Sequence, residues 1–107
     1  MSDSTHFDTA LAADLIGKVV LVGITYEDRR GEVKRLEQFF GTVASADAKR
    51  GIAVLLSGQG NGGMRWLPPT TEGYFAASKG EYRLKSTGEV VTNPDYTVQW
   101  TVVQPDA

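Results

Sequence analysis

One glycine-rich segment of the sequence matches a cofactor-binding pattern. Residues 58–63 (GQGNGG) read G-x-G-x-x-G and follow a predicted strand. In a dinucleotide site, such glycines let a pyrophosphate approach the N-terminus of a following helix. Here residues 64–67 (MRWL) form a predicted strand, and Pro68 and Pro69 end it, so that helix is missing. The Lys-Ser/Thr pair of a phosphate loop is missing too. We therefore predict a flexible hairpin loop and no cofactor.

Side chains suited to catalysis or metal binding are sparse. The chain has no cysteine and a single histidine, His6, near the N-terminus, where nothing holds an imidazole against a nucleophile. Glu27, Asp28 and Glu32 could bind a hard cation, but EF-hand spacing is absent. Glu32 and Glu37 lie in or beside predicted polar loops, which indicates solvated carboxylates. We predict no catalytic residue, no metal and no enzyme; an enzyme of unfamiliar type is kept as a third hypothesis.

Basic side chains are concentrated in the middle of a chain whose net charge is −2. On a small barrel, cations from the ends of a hairpin could converge near Tyr26 and Phe40 and bind nucleic acid. The low pI, about 5.3, argues against a nucleic-acid-binding domain. Charges that keep sheet edges soluble are the favoured interpretation. The candidate nucleic-acid-binding residues are Arg29, Arg30, Lys34, Arg35, Lys49 and Arg50.

Four aromatic residues form the other candidate surface, for a protein partner: Tyr26, Trp66, Tyr74 and Phe75. In SH3-like barrels, aromatic side chains from the first long loop and from the segment near a proline-rich turn line a peptide groove. Trp66 is in phase with Met64, which favours burial. Tyr74 and Phe75 follow the prolines in a segment read as irregular, where they either cap the barrel or bind a partner.

Alternating apolar residues predict several short strands. The clearest unit is a hairpin over residues 36–57, with a second alternating run at residues 96–102, whose Tyr96 and Trp100 face the core, as does Tyr82. Residues 18–26 form a strand that is apolar on both faces, interrupted at Gly23 by a bulge, a barrel corner or a close backbone approach. Gly41 is expected to bend a long strand. Five to seven short strands joined by Gly/Pro turns predict a mostly β fold, a small antiparallel SH3-like barrel.

The 107 residues have room for one domain. We assign residues 1–14 to an N-terminal leader, either a tail or a short helix over Phe7–Leu15 capped by Ser4 or Thr5, and residues 15–104 to the single barrel domain. The N-terminus lacks the basic start of a signal peptide, and no apolar run approaches the ~20 residues that a membrane helix needs. We predict a cytoplasmic protein without membrane contact.

Three stretches resemble a family of small uncharacterised bacterial proteins: residues 17–26 (GKVVLVGITY), residues 67–69 (LPP), and residues 80–91 (GEYRLKSTGEVV) followed by 93–95 (NPD) and 100–101 (WT). The resemblance covers most of residues 16–103. It implies a bacterial cytoplasmic domain and carries no assigned activity or functional residue. The first functional hypothesis is therefore a non-catalytic binding or adaptor module for a protein partner, with a homo-oligomer through an edge strand left open. The alternative is a nucleic-acid-binding barrel that uses the basic residues.

Overall fold

The computed structural model describes residues 7–58 and 62–104; His6, Ser4 and Thr5 lie outside this part of the chain. One short helix precedes eight strands, so the mostly β prediction is confirmed and the expected five to seven strands are too few. The elements are α1 Thr9–Leu15, β1 Val19–Glu27, β2 Val33–Asp47, β3 Gly51–Leu56, β4 Met64–Leu67, β5 Phe75–Ala76, β6 Glu81–Arg83, β7 Val90–Thr92 and β8 Tyr96–Val103.

Six strands form one mixed sheet in the order β4-β3-β2-β1-β8-β5, and β6 and β7 form a separate hairpin. β1 pairs antiparallel with β2 but parallel with β8, with Val22 opposite Val98. The prediction of a purely antiparallel architecture was therefore wrong at the middle of the sheet. Alternation has the same period of two in both kinds of pairing, so it does not report strand direction.

The sheet has an inner face that encloses the core and an outer face. Along β1 the side chains of Val20, Val22 and Ile24 point inward and are buried. Those at the alternate positions point outward, because successive side chains of a strand lie on opposite faces. The core cluster on the inner face comprises Leu15, Val20, Val22, Ile24, Val43, Ile52, Val54, Leu67, Tyr74 and Val98.

Helix α1 is docked onto this core, and its cap differs from the one expected. The Asp8 carboxylate accepts hydrogen bonds from the backbone N–H groups of Ala10 and Leu11 (2.9 and 3.2 Å). This satisfies two donors that the first helical turn leaves free, so Asp8 is the N-cap. Leu15 is fully buried in the core cluster and Ala12 is buried as well. A helix of two turns is stabilised by such packing rather than by its own propensity.

The longest strand, β2, pairs with β1 along one part of its length and with β3 along another. A Cβ added at Gly41 would overlap with the carbonyl oxygen of Leu55 and lie 2.9 Å from Cγ1 of Val54. Only a glycine permits this close approach of β2 to β3.

The β6–β7 hairpin covers part of the outer face. Leu84, directly after β6, and Val91 are buried. The backbone N–H of Ser86 donates to Oε1 of Gln38 (3.1 Å), and the N–H of Gln38 donates to Oγ of Ser86 (3.2 Å). These reciprocal bonds fix the hairpin to β2.

Candidate functional site

An apolar groove of about 280 Å³ lies between β4 and β8. It lies where two strands approach each other without being paired in the strand order. Two indole rings and a proline are part of its walls. The lining residues are Ile24, Arg65, Trp66, Leu67, Pro68, Trp100, Thr101 and Val102.

The groove runs beside an edge of β8 that is only partly paired with another strand. β5 pairs with β8 through two residues, Phe75 opposite Thr97 and Ala76 opposite Tyr96. Among the described residues, no strand continues this pairing along β8 from Val98 to Val103. The backbone N–H and C=O groups on that side of β8 are therefore available to an added strand.

The Arg65 side chain at the groove wall is fixed by a carboxylate on β2. Its Nη1 and Nη2 lie 2.7 and 2.8 Å from the two carboxylate oxygens of Glu37, a bidentate pair, and the Tyr26 hydroxyl donates to the same carboxylate at 2.9 Å. The Arg65 hydrogen bonds and the Tyr26 hydroxyl hold the pKa of Glu37 down at about 2. The expectation that Glu37 is a solvated loop carboxylate was wrong: it lies within β2 and is ion-paired.

Arginines also stack on aromatic rings around this network. The Arg35 guanidinium carbon lies 3.9 Å from the Tyr26 ring centroid, and that of Arg65 lies 4.8 Å from the ring of Phe39. Both are close enough for cation–π attraction. The Arg65 charge is thus compensated on two sides, so the groove presents a largely neutral wall.

Trp66 has a similar partner in Arg50, whose guanidinium carbon lies 5.2 Å from the ring centroid. Trp66 nevertheless stays 44% exposed, so the expected burial in phase with Met64 is not found; Met64 is exposed too. In β4 the inward residues are Arg65 and Leu67, opposite Val54 and Ile52.

The four aromatic candidates do not form one surface. Trp66 lines the groove, and Tyr26 lies beside it, paired with Val102 of the groove wall. Tyr74 is buried beneath Trp100, with the rings 5.9 Å apart at 78°. Its hydroxyl has no hydrogen-bond partner among the residues that the structure describes, and burial raises its pKa. Phe75 is 68% exposed and, opposite Thr97, faces the other side of the sheet.

The basic candidates do not converge on one end of the fold. Arg29, Arg30 and Lys34 belong to the β1–β2 loop and the start of β2, whereas Lys49 and Arg50 belong to the turn after β2, at the opposite end of that strand. The two groups are separated by a strand of 15 residues.

The carboxylates near these cations shape turns. Asp28 accepts backbone hydrogen bonds from Arg30 and Glu32 (2.8 and 3.0 Å) and lies 3.6 Å from the Lys34 ammonium. The Glu32 N–H is the largest cause of its lowered pKa. Within residues 7–58 and 62–104, no group of three acidic, histidine or cysteine side chains is placed to hold a metal ion.

Sequence reasoning identified Tyr26 and Trp66 but missed Arg65, Glu37 and Trp100 as parts of this site. A signal for Arg65 was present, because a charged residue in phase with an inward-facing Leu67 requires a buried or half-buried partner. The sequence does not indicate which of the 13 acidic residues supplies it.

Comparisons with protein-family models, with curated proteins and with solved structures found no match to this chain. No helix in the described part of the chain is long and apolar enough to cross a membrane.

Proposed function

We propose that this protein is a non-catalytic binding module that recognises an extended segment of a protein partner in the groove between β4 and β8. The observation that carries the proposal is the position of this groove, lined by Trp66 and Trp100, directly beside the unpaired edge of β8. A groove with apolar walls and a free strand edge offers both kinds of contact that an extended peptide uses.

The mode of recognition follows from the geometry of β8. An added strand forms backbone hydrogen bonds with the edge between Val98 and Val103, which supplies affinity without regard to sequence. Trp100 and Val102 point to the inner face at a period of two. The partner therefore places its own alternate side chains against them, and these side chains determine specificity.

The walls favour apolar partner side chains over acidic ones. Arg65 is the charged residue of the lining, and it is already held in a bidentate pair by Glu37. A partner carboxylate would have to compete with Glu37 for the guanidinium. A partner apolar side chain instead gains the area of two indoles and Pro68.

Selection from a displayed library of random peptides tests the proposal. Peptides that bind the wild-type protein are expected to share alternating apolar residues. Trp66→Ala should weaken their binding about tenfold or more, as expected for an aromatic anchor. Phe75→Ala is the matched control, because it removes a more exposed aromatic side chain that does not line the groove, and binding should not change. Equal binding by the Trp66→Ala variant would overturn the proposal.

Nucleic-acid binding by the loop cations remains the alternative. The geometry supports it less, because these cations lie at both ends of β2, and Lys34 is ion-paired with Asp28 and Glu32. A salt-dependent gel shift that disappears with Arg29→Ala and Lys49→Ala would favour this alternative over the peptide groove. A cytoplasmic location and the absence of catalysis stay predictions, and a homo-oligomer through an edge strand stays open.

A further inference from the structure

Gly23 lies in the middle of β1 although neither its backbone nor its packing requires a glycine. Its φ is not among the positive values that several other glycines adopt. The pairing of β1 with β2 and with β8 runs through Gly23 without a register shift, so the expected bulge is absent. A Cβ added here would have Cγ of Gln99 at 3.7 Å as its nearest neighbour, an ordinary contact. Because glycine weakens a strand interior relative to alanine, the fold alone would favour alanine.

What the missing Cβ leaves open is a channel on the outer face of the sheet. Three adjoining cavities of about 270, 270 and 220 Å³ lie there. Two of them share Gly23, Gln38 and Gln99, and the third joins through Gln99. Gly23 forms the floor where the two larger cavities meet. This channel lies on the other side of the sheet from the proposed peptide groove.

Two carboxamides flank the glycine floor. Gln38 on β2 and Gln99 on β8 are the direct cross-strand neighbours of Gly23, so their side chains rise on either side of it. Ser86 holds Oε1 of Gln38 through its backbone N–H. That bond leaves the amide donors of Gln38 free to face a ligand. The Gln99 carboxamide makes no hydrogen bond to another described residue. A flat heterocycle lying on Gly23 can pair its edges with both amides, since glutamine side chains are suited to base edges.

The rest of the lining favours an anion. Arg83 contributes to one large cavity and Lys85 to the other, and no aspartate or glutamate lines any of the three. The third cavity is bounded by Phe75, whose exposed ring offers a stacking surface for a second base.

We propose that this outer channel binds a nucleotide, with the base on Gly23 between Gln38 and Gln99 and the phosphate at Lys85. A free mononucleotide and one unit of a single strand share this chemistry. The site is independent of the proposed peptide groove, because the two use opposite faces of the same strands.

An NMR titration of backbone and side-chain amide shifts tests the site with three probes: a 5′-mononucleotide, a short single-stranded oligonucleotide, and inorganic phosphate alone. We expect the mononucleotide at about 1 mM to move the amide signals of Gly23, Gln38 and Gln99. Tighter binding of the oligonucleotide assigns the site to a single strand, with Phe75 holding the next base. Equal affinity assigns it to the free nucleotide. Shifts equally large with phosphate alone, or none with any probe, overturn the proposal.

Two variants test whether Gly23 and Gln99 bind the nucleotide or serve the fold alone. Gly23→Ala should melt at or above the wild-type temperature, yet bind the nucleotide roughly tenfold more weakly, because its methyl group occupies the floor. Gln99→Ala is the second variant, since an exposed side chain can be truncated without unfolding the protein. Arg29→Ala is the matched cation control and should bind normally. Binding lost in Arg29→Ala but kept in Gly23→Ala would overturn the proposal in favour of the loop cations.

Discussion

The peptide groove and the outer channel use the same strands in opposite ways. Along β1 and β8, Ile24 and Trp100 face the groove, while their chain neighbours Gly23 and Gln99 face the channel. The groove is built from side chains that also hold the fold together, above all the Glu37–Arg65 pair. Two residues of the channel, Gly23 and Gln99, make no packing contact or side-chain hydrogen bond that the fold requires. A substitution in the groove should therefore change stability and binding together, whereas one at Gly23 or Gln99 should separate them.

The largest expected effect distinguishes a glycine that the fold requires, Gly41 outside the groove lining, from the glycine of the channel, Gly23. Gly41→Ala places a methyl group against the carbonyl oxygen of Leu55, and the backbone cannot retreat without breaking the β2–β3 pairing. We expect a loss of about 3 kcal/mol in the free energy of unfolding, measured by urea denaturation. Gly23→Ala is the control, expected within about 0.5 kcal/mol of the wild type or above it. Equal losses for the two variants would contradict the comparison.

Acid should weaken the network that Glu37 forms with Arg65 and Tyr26 on the inner face of the sheet. It should leave the outer face unaffected. The hydrogen bonds from Arg65 hold the pKa of Glu37 at about 2 in the folded protein, well below its ordinary value of 4.5, so folding favours the ionised carboxylate. The stabilisation is complete above the unfolded pKa and is lost as the pH falls from 4.5 towards 2. The two side chains are about one-third exposed. Allowing for solvent screening of the pair, we expect a loss of about 1–2 kcal/mol.

The measurement is chemical denaturation of the wild type and of Glu37→Gln across this pH range. The variant keeps an acceptor for the Tyr26 hydroxyl but has no charge to lose, so its stability should fall less with acid. Parallel curves for the two proteins would mean that the Glu37–Arg65 pair contributes little.

The smallest effect is expected at the channel. Gln99 is exposed and makes no side-chain hydrogen bond to a described residue. Gln99→Ala should therefore change the free energy of unfolding by no more than about 0.5 kcal/mol. Thermal unfolding followed by circular dichroism measures this. A larger loss would show that the carboxamide supports the sheet, and the proposed division between the two faces would fail.

Much of the strand content could be predicted from alternation alone. Residues 18–26, the hairpin over 36–57 and the run at 96–102 all contain strands close to the predicted positions. Strand direction could not be predicted, because β1 and β8 meet across nearly the whole chain and their side-chain pattern is the same in either direction. The antiparallel prediction failed at that pair for this reason.

The site was less accessible to sequence reasoning. Trp66 and Tyr26 were identified by residue type, but the pairing of Glu37 with Arg65 joins residues 28 positions apart. Only the pairing of β2 with β3 and of β3 with β4 brings them together. Tyr74 and Phe75 were read as a pair in an irregular segment. β5 begins at Phe75, directly after Tyr74, and the Tyr74 ring is buried whereas the Phe75 ring is exposed.

The parallel pairing of β1 with β8 also has a consequence for how the molecule is made. A backbone hydrogen bond from Val19 to the Asp95 carboxylate, just before β8, closes a loop of 76 positions. Contacts that are so distant along the chain form slowly, because the entropy of a long loop is lost before the contact rewards it. During synthesis, β1 is made early, and the edge that pairs with β8 stays unpaired until residues 96–103 have been synthesised. We therefore expect the nascent chain to be most prone to aggregation in the interval before β8 is available.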